Sequence, residues 1–279
     1  MPIDRLGALL QRFSVSARMF HSGPLCGIND IPTSPDIGQL HLIRRGPVEV
    51  HHGSRRTRRV VAPSLLFYPR VLPHRFVTDA EVGADMACAN VAFVSGASSP
   101  LVQALPAFTV LPLEELDGAR GVLELLFEEA FAQRCGRQHV VDRLFEVVLI
   151  HVLRVLMDSG RVDRGALAGM ADPKLARALV AMHEKPAANW TLDTLAQRAG
   201  MSRSHFAARF HQCVGATPGD YLSRFRISVA QDLLRRGQPL KAIAGEAGYG
   251  SSAALSRAFR AICGVSPRAW RAGSPDGAG

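Results

Sequence analysis

The chain has 279 residues, 47% hydrophobic and 20% charged, the balance of a globular protein with room for two cores rather than of a disordered chain. No apolar run approaches the ~20 residues that span a bilayer. The five cysteines stand singly, without a CxxC pair or zinc-finger spacing, which argues against a disulfide-stapled secreted domain. The formal charge is +9, and 15 Lys+Arg against 7 Asp+Glu fall from Ala171 onward, leaving 18 and 17 before it. The C-terminal part therefore suits a polyanion-binding module attached to a neutral domain.

The first twenty residues carry apolar side chains at helical spacing, interrupted by Arg5 and Arg12, and lack the continuous apolar stretch of a signal peptide. A cytoplasmic protein is expected. From about Gly38 to Phe93, QLHLI, VEVHH, VVAPSLLFYP, HRFVTD and MACANVAFV read as five short strands of an all-β sandwich or barrel, separated by Pro and Gly turns. Two helices follow, Leu116–Ala132 and Val140–Met157. The second is apolar on more than one face and needs cover on both sides, which predicts a dimer contact. The Gly-rich stretch Ser159–Ala171 reads as an interdomain linker.

The last hundred residues contain a repeat. TLDTLAQRAGMSRSHFAARFHQCVGATPGDYL from Thr191 matches PLKAIAGEAGYGSSAALSRAFRAICGVSPRAWR from Pro239, first at an offset of 48 and then, after one inserted residue, at 49. Each copy has the layout of a helix-turn-helix: an apolar helix face, a glycine (Gly200, Gly248) for the turn, and a serine (Ser202, Ser251) where an N-cap belongs. Phe206 and Phe210 in one copy, and Leu255 and Phe259 in the other, are the expected core contacts. Tyr221–Arg236 reads as an amphipathic helix between the copies, stopped at Gly237-Gln238-Pro239.

On LAQRAGMSRSHFAARFHQCVGATPGDYL, RISVAQDLLRR and IAGEAGYGSSAALSRAFRAICGVSPRAWR, the chain resembles the AraC/XylS family of bacterial regulators. The resemblance implies two subdomains on a long helix, each inserting one helix into the major groove of promoter DNA. By position, Arg203, Ser204, His205, Ala207 and Ala208 of the first copy would face DNA, with Ser251, Ser252, Ala253, Ser256 and Arg257 of the second. Arg203, His205, Ser252 and Arg257 are the expected hydrogen-bonding readers, the alanines offer only apolar contact, and Arg209 is placed on phosphate. The family also implies a homodimer, contact with RNA polymerase, and a tendency to activate.

The strand region, through VVAPSLLFYPRVLPHRF, is similar to the cupin-type domain found in front of such regulators. The expectation is thus an α+β protein: a cupin-like sensor barrel over residues 1–115, a helical dimerisation segment over 116–158, a linker over 159–171, and an all-α double helix-turn-helix domain over 172–273. The His-x-His unit of metal-dependent cupin enzymes is absent, since His51 and His52 are adjacent and point to opposite faces. No catalysis or resident cofactor is expected; the rival reading is a metal-dependent cupin enzyme with an accessory DNA-binding domain. Within the cupin-fronted regulators the text resembles the subgroup responding to reactive chlorine species, which implies Cys26, Cys88 and His74, with His41 nearby, as a redox sensor. Cys88 as a buried strand residue, and zinc held by these cysteines and histidines, remain open alternatives. The effector is therefore an oxidant, a metal or a small molecule.

Overall fold

The computed structural model describes residues 3–53, 56–61, 63–93, 99–116 and 118–272. Ser54 and Arg55 of an expected turn, Val94 at the end of an expected strand, Asp117 of an expected helix and Gly273 of the expected C-terminal domain lie outside them. The chain forms two compact units that do not follow chain order. One is Val15–Ala97 with Leu105–Arg161; the other joins Met1–Ser14 and Ser98–Ala104 to Val162–Gly279.

The first unit is built from two antiparallel sheets. β1 (Val15–Leu25), β8 (Ala84–Phe93), β3 (Ile37–Arg45), β6 (Ser64–Tyr68) and β9 (Thr109–Pro112) lie in that order in one sheet. β2 (Ile28–Asp30), β7 (Arg75–Val77), β4 (Val48–His52) and β5 (Arg56–Val60) form the other. Ile43, Leu66, Tyr68, Met86 and Cys88 from the first sheet pack with Val48, Val50, Val60 and Phe76 from the second in one buried core. Central β3 is buried at six successive residues, Gly38–Ile43, because β8 and β6 flank it and both faces are covered.

β1, at the sheet edge, is sealed by a helix. α3 (Arg120–Phe131) packs on α4 (Arg137–Asp158), and α4 lies along β1. The Met19 amide donates to Asp142 at 2.7 Å and the Ala17 amide to Glu146 at 3.3 Å, so carboxylates of α4 satisfy strand amides that would otherwise stay unpaired. The two expected helices are thus present. Among the described residues nine strands replace the expected five, and the helical spacing near the N-terminus yields only the six-residue α1 (Gly7–Arg12) before the chain turns into β1. The expected strand VVAPSLLFYP is divided between β5 and β6, with Pro63, which cannot donate to a ladder, at the break.

The second unit is all-helical: α1, α2 (Pro100–Ala104), α5 (Ala166–Ala171), α6 (Pro173–Glu184), α7 (Leu192–Ala199), α8 (Arg203–Val214), α9 (Pro218–Arg235), α10 (Leu240–Glu246), α11 (Ser252–Cys263) and α12 (Pro267–Ala272). α1 is held here by fully buried Leu9, by Phe13 edge-on to Phe225 at 5.6 Å, and by Arg5, which donates to the Met170 carbonyl at 3.3 Å. Within the stretch expected as linker, Ala166–Ala171 form α5 and pack against α6. A Cβ on Gly169 would stand 2.6 Å from Leu179 and 2.8 Å from Val214.

Candidate nucleic-acid interface and barrel interior

Each helix-turn-helix is built by local chemistry. In the first, Thr191 and Thr194 form a capping box at the start of α7, and Gly200 takes φ 64° at its end, the left-handed turn that only glycine enters without strain. The Ser202 hydroxyl then accepts from the His205 amide at 3.4 Å and starts α8. In the second, Gly248 takes φ 80°, and Ser251 accepts from the Ala254 amide at 3.1 Å to start α11. Phe206, Phe210, Leu255 and Phe259 are all fully buried, as their spacing requires. Between the copies runs α9, started by Thr217 and Pro218 and buried along most of its length; α8, α10, α11 and α12 all pack on it.

Burial of those apolar residues turns the opposite faces outward. Arg203, Ser204, His205 and Ala208 are exposed on α8, and so are Ser251, just before α11, and Arg257 on it. Ser252 and Ser256 are half-buried. Arg203 stands 3.7 Å from Asp193 in an exposed pair, which leaves it able to turn toward another anion. Arg209 differs. Its Nε donates to Asp172 at 2.9 Å and its Nη1 to Gln212 at 3.3 Å, so the residue placed on phosphate is engaged inside its own subdomain. The exposed faces also include His211, Gln212 and Arg260, which the sequence reading left out. His211 and Arg260 are equivalent at the offset of 49, as are Ala208 and Arg257, and that pairing was the available signal.

The barrel interior gathers histidines and aromatic rings. His41 and His74 face each other with Nε2 atoms 3.1 Å apart. His74 Nδ1 donates to the Leu72 carbonyl at 2.8 Å, so its Nε2 carries a lone pair and accepts from His41. Tyr68 stacks on His74 at 4.0 Å, its hydroxyl bonds His52 at 3.0 Å, and Phe76 lies edge-on to His41 at 4.9 Å. Burial holds the His74 pKa down at about 4, with the Leu72 hydrogen bond opposing and His52 adding to the shift. Burial likewise holds His41 well below the usual range, reinforced by the charges of His74 and His21. Both imidazoles are neutral near pH 7.

Cys88 lies opposite His41 in the β3–β8 pairing and is 1% exposed; burial pushes its thiol pKa far up, away from the reactive thiolate. Cys26 is exposed beside β1, with its Sγ 3.9 Å from the Glu81 carbonyl. His21 pairs with Cys88, and Cys26 is five residues further along the chain from His21, which sets the two cysteines roughly 16 Å apart. A disulfide needs Cα atoms within ~7 Å. His74 thus joins His41 and the Cys88 side of the core, whereas Cys26 stands apart. Among the described residues, no group of three or more His, Cys, Asp or Glu is arranged to hold a metal ion.

Comparison with known proteins follows this division. A family profile described as a cupin matches residues 4–158, and one described as a helix-turn-helix domain matches residues 195–273. The chain belongs to the AraC family, with an N-terminal cupin domain. An AraC-like transcription regulator of Streptomyces antibioticus is 39% identical to this family member over 64% of the chain and 60% of the relative. The activator RclR of Escherichia coli K12, specific for reactive chlorine species, is 26% identical over 56% of each chain. Among solved structures, the DNA-binding domain of AdpA in complex with a target DNA is 36% identical over 35% of this chain and 88% of that one, with a TM-score of 0.34. The AraC-family chain spans 60%, 60% and 51% of the length of three curated relatives that it matches.

Proposed function

We propose that this AraC-family member regulates transcription by binding double-stranded promoter DNA, with α8 and α11 in successive major grooves ~34 Å apart on one face of the duplex. The supporting observation is the repeated geometry, in which two serine-capped helices carry exposed polar faces and share one buried connecting helix. Arg203, Ser204, His205 and Ala208 of α8, with Ser251, Ser252, Ser256 and Arg257 at α11, form the reading surface. Arg209 serves mainly to hold α8 in place. The protein acts in the cytoplasm as a dimer, using the apolar residues Leu125, Val140 and Val147 that α3 and α4 leave exposed, and it recruits RNA polymerase as an activator. No helix among the described residues is long and apolar enough to cross a membrane.

The signal enters the cupin barrel, and cysteine oxidation is the reading that the likeness to RclR favours. Cys26, the more accessible thiol, reacts first, and Cys88 with His74 responds only if the barrel opens. The test is fluorescence anisotropy on DNA flanking the gene, using reduced protein, hypochlorite-treated protein and the Cys26→Ser/Cys88→Ser double variant. A change on oxidation that the double variant lacks supports redox sensing. Equal binding by all three overturns redox sensing and leaves a small molecule or metal in the barrel as the signal. Failure to bind duplex DNA, including sequences selected from a random pool, overturns the regulator reading itself.

A further inference from the structure

Arg226 stands on α9 between Phe225 and Ile227, both buried, and its own side chain is half-buried. Its Nε donates to the Pro186 carbonyl at 2.8 Å and its Nη2 to the Ala188 carbonyl at 2.9 Å. Both carbonyls lie in the loop that joins α6 to α7. That loop is braced in turn. The Ala188 amide and Trp190 Nε1 donate to the Lys185 carbonyl at 3.1 and 2.9 Å, and Arg198 of α7 lies 5.1 Å over the Trp190 ring. The Arg226 guanidinium also reaches the second helix-turn-helix. It lies 6.0 Å from the centre of the Tyr249 ring, and a Cβ on Gly248 would fall 3.0 Å from it and 2.7 Å from Ala187 Cα. Gly248 thus has two uses: it takes the φ of 80° that turns the chain toward α11, and its missing side chain admits the Ala187 backbone.

The two copies therefore meet in two ways. They share α9, whose buried face is largely apolar, and they touch directly where the α6–α7 loop abuts the Gly248 turn. Apolar burial is non-directional, so on its own it leaves packed helices free to slide by small amounts. A guanidinium donates in a rigid planar fork, and its bonds fix direction as well as distance. Each clamped segment runs into a recognition helix, the loop through α7 to α8 and the turn straight into α11. We propose that Arg226 is a positioning residue for DNA recognition: it clamps the loop against the turn, sets the relative orientation of α8 and α11, and so selects which separation of two contacted DNA segments the protein accepts. This rests on the two-groove reading above and adds the residue that holds the two helices in register.

Two measurements on the full chain test it. In the free protein, spin labels at His211 on α8 and Arg260 on α11, carried by ketone-bearing unnatural residues and diluted with unlabelled chain, report the distance between the helices. The wild-type background gives one narrow distribution, and Arg226→Met, which keeps the apolar stem, broadens or shifts it. With DNA, anisotropy compares a selected two-segment site with versions carrying one base pair more or fewer between the segments. Wild type loses about tenfold or more on either change, since the wrong geometry forfeits simultaneous engagement. Arg226→Met binds the selected site more weakly, binds one isolated segment as wild type does, and loses no more than about threefold when the spacing changes. Arg226→Lys falls between, because an ammonium is a point donor rather than a fork. Melting curves establish that the variants are folded, and should Arg226→Met not fold, Arg226→Lys carries the same comparison. An unchanged distance distribution or an unchanged spacing penalty in the variant overturns the proposal. A wild type indifferent to spacing overturns the two-groove reading and the proposal with it, and the free-protein distances tell the two failures apart.

Discussion

One carboxylate, Asp172, serves two helices: it caps α6 by accepting from the Lys174 and Leu175 amides at 2.9 and 3.2 Å, and it holds Arg209 of α8 at 2.9 Å. Burial opposes its ionisation, yet the hydrogen bonds from Arg209 and the two amides outweigh burial and leave its pKa below the usual value. The stability it adds is full above the ordinary carboxylate pKa of about 3.9 and is lost as pH falls through the lower folded value. Asp172→Ala removes the cap and should cost about 1 kcal/mol at neutral pH, and Asp172→Asn, which still caps, less. Urea unfolding at pH 7 and near pH 3 checks both, and the gap between wild type and Asp172→Ala should narrow at the lower pH.

The two turn glycines are expected to differ. Added methyl groups meet nothing within 4 Å at Gly200, but at Gly248 they fall 2.7 Å from the Ala187 backbone and 3.0 Å from the Arg226 guanidinium. Arg226 is held there by the Pro186 and Ala188 carbonyls, at 2.8 and 2.9 Å. Gly200→Ala should therefore cost only the left-handed backbone strain, about 1 kcal/mol, and Gly248→Ala several times that. Comparative denaturation of the two variants decides it; equal losses would contradict the close approach at Gly248.

On the exposed faces, Arg203→Ala and Arg257→Ala should each weaken binding to a selected site by about 1–3 kcal/mol and relax its sequence preference. Arg260→Ala should weaken binding to all sequences alike and lower the salt slope by about one. Arg209→Ala should lower thermal stability more than affinity. Anisotropy titrations over a range of salt concentrations, paired with melting curves, separate these outcomes.

Thiol reactivity should divide by burial. With a chromogenic disulfide reagent, exposed Cys26 and Cys135 react in the folded protein, and Cys88 reacts only at the rate of unfolding. Fast modification of Cys88 in a variant retaining it as the sole cysteine would show a barrel that opens readily.

The buried imidazole pair predicts an acid-side loss of stability. His74 titrates at about 4 in the folded chain against about 6.5 unfolded, so its contribution is complete above pH 6.5 and is lost as pH falls toward 4. His74→Phe should flatten the stability profile between those values, as read by chemical denaturation at several pH values.

The helical unit was legible because its signals are local. Glycine turns, serine caps and apolar spacing repeat at offsets of 48 and 49, and each acts within a few residues. The barrel was legible only at its centre. β3 and β8 carry long apolar runs, but edge strand β5, Arg-Thr-Arg-Arg-Val, looks like a solvated turn. β1 was masked by the apolar spacing of the residues preceding it, and the edge amides that make it a strand are answered by Asp142 and Glu146, more than a hundred residues away. α5 hid in a Gly-rich stretch whose small residues serve close packing, as Gly169 demonstrates, rather than looseness. The histidine cluster was half visible: His74 and His41 were singled out, but Tyr68 stacking and the His52 contact depend on the closure of two sheets.

The buried connecting helix α9 also fixes an angular phase. Each residue of an α-helix turns the chain by ~100° and advances it ~1.5 Å. Losing or gaining one residue in α9 would swing α11 to another side of the molecule while scarcely altering its distance from α8. The DNA is indexed in the same way, since one base pair added between the two contacted segments rotates the second by ~35° about the duplex axis. Under the proposed two-groove binding, helix length and site spacing are matched as interlocking gears are: changes in one are compatible only with particular steps in the other. This protein's binding sites are expected to vary in base sequence well before they vary in the number of base pairs between them.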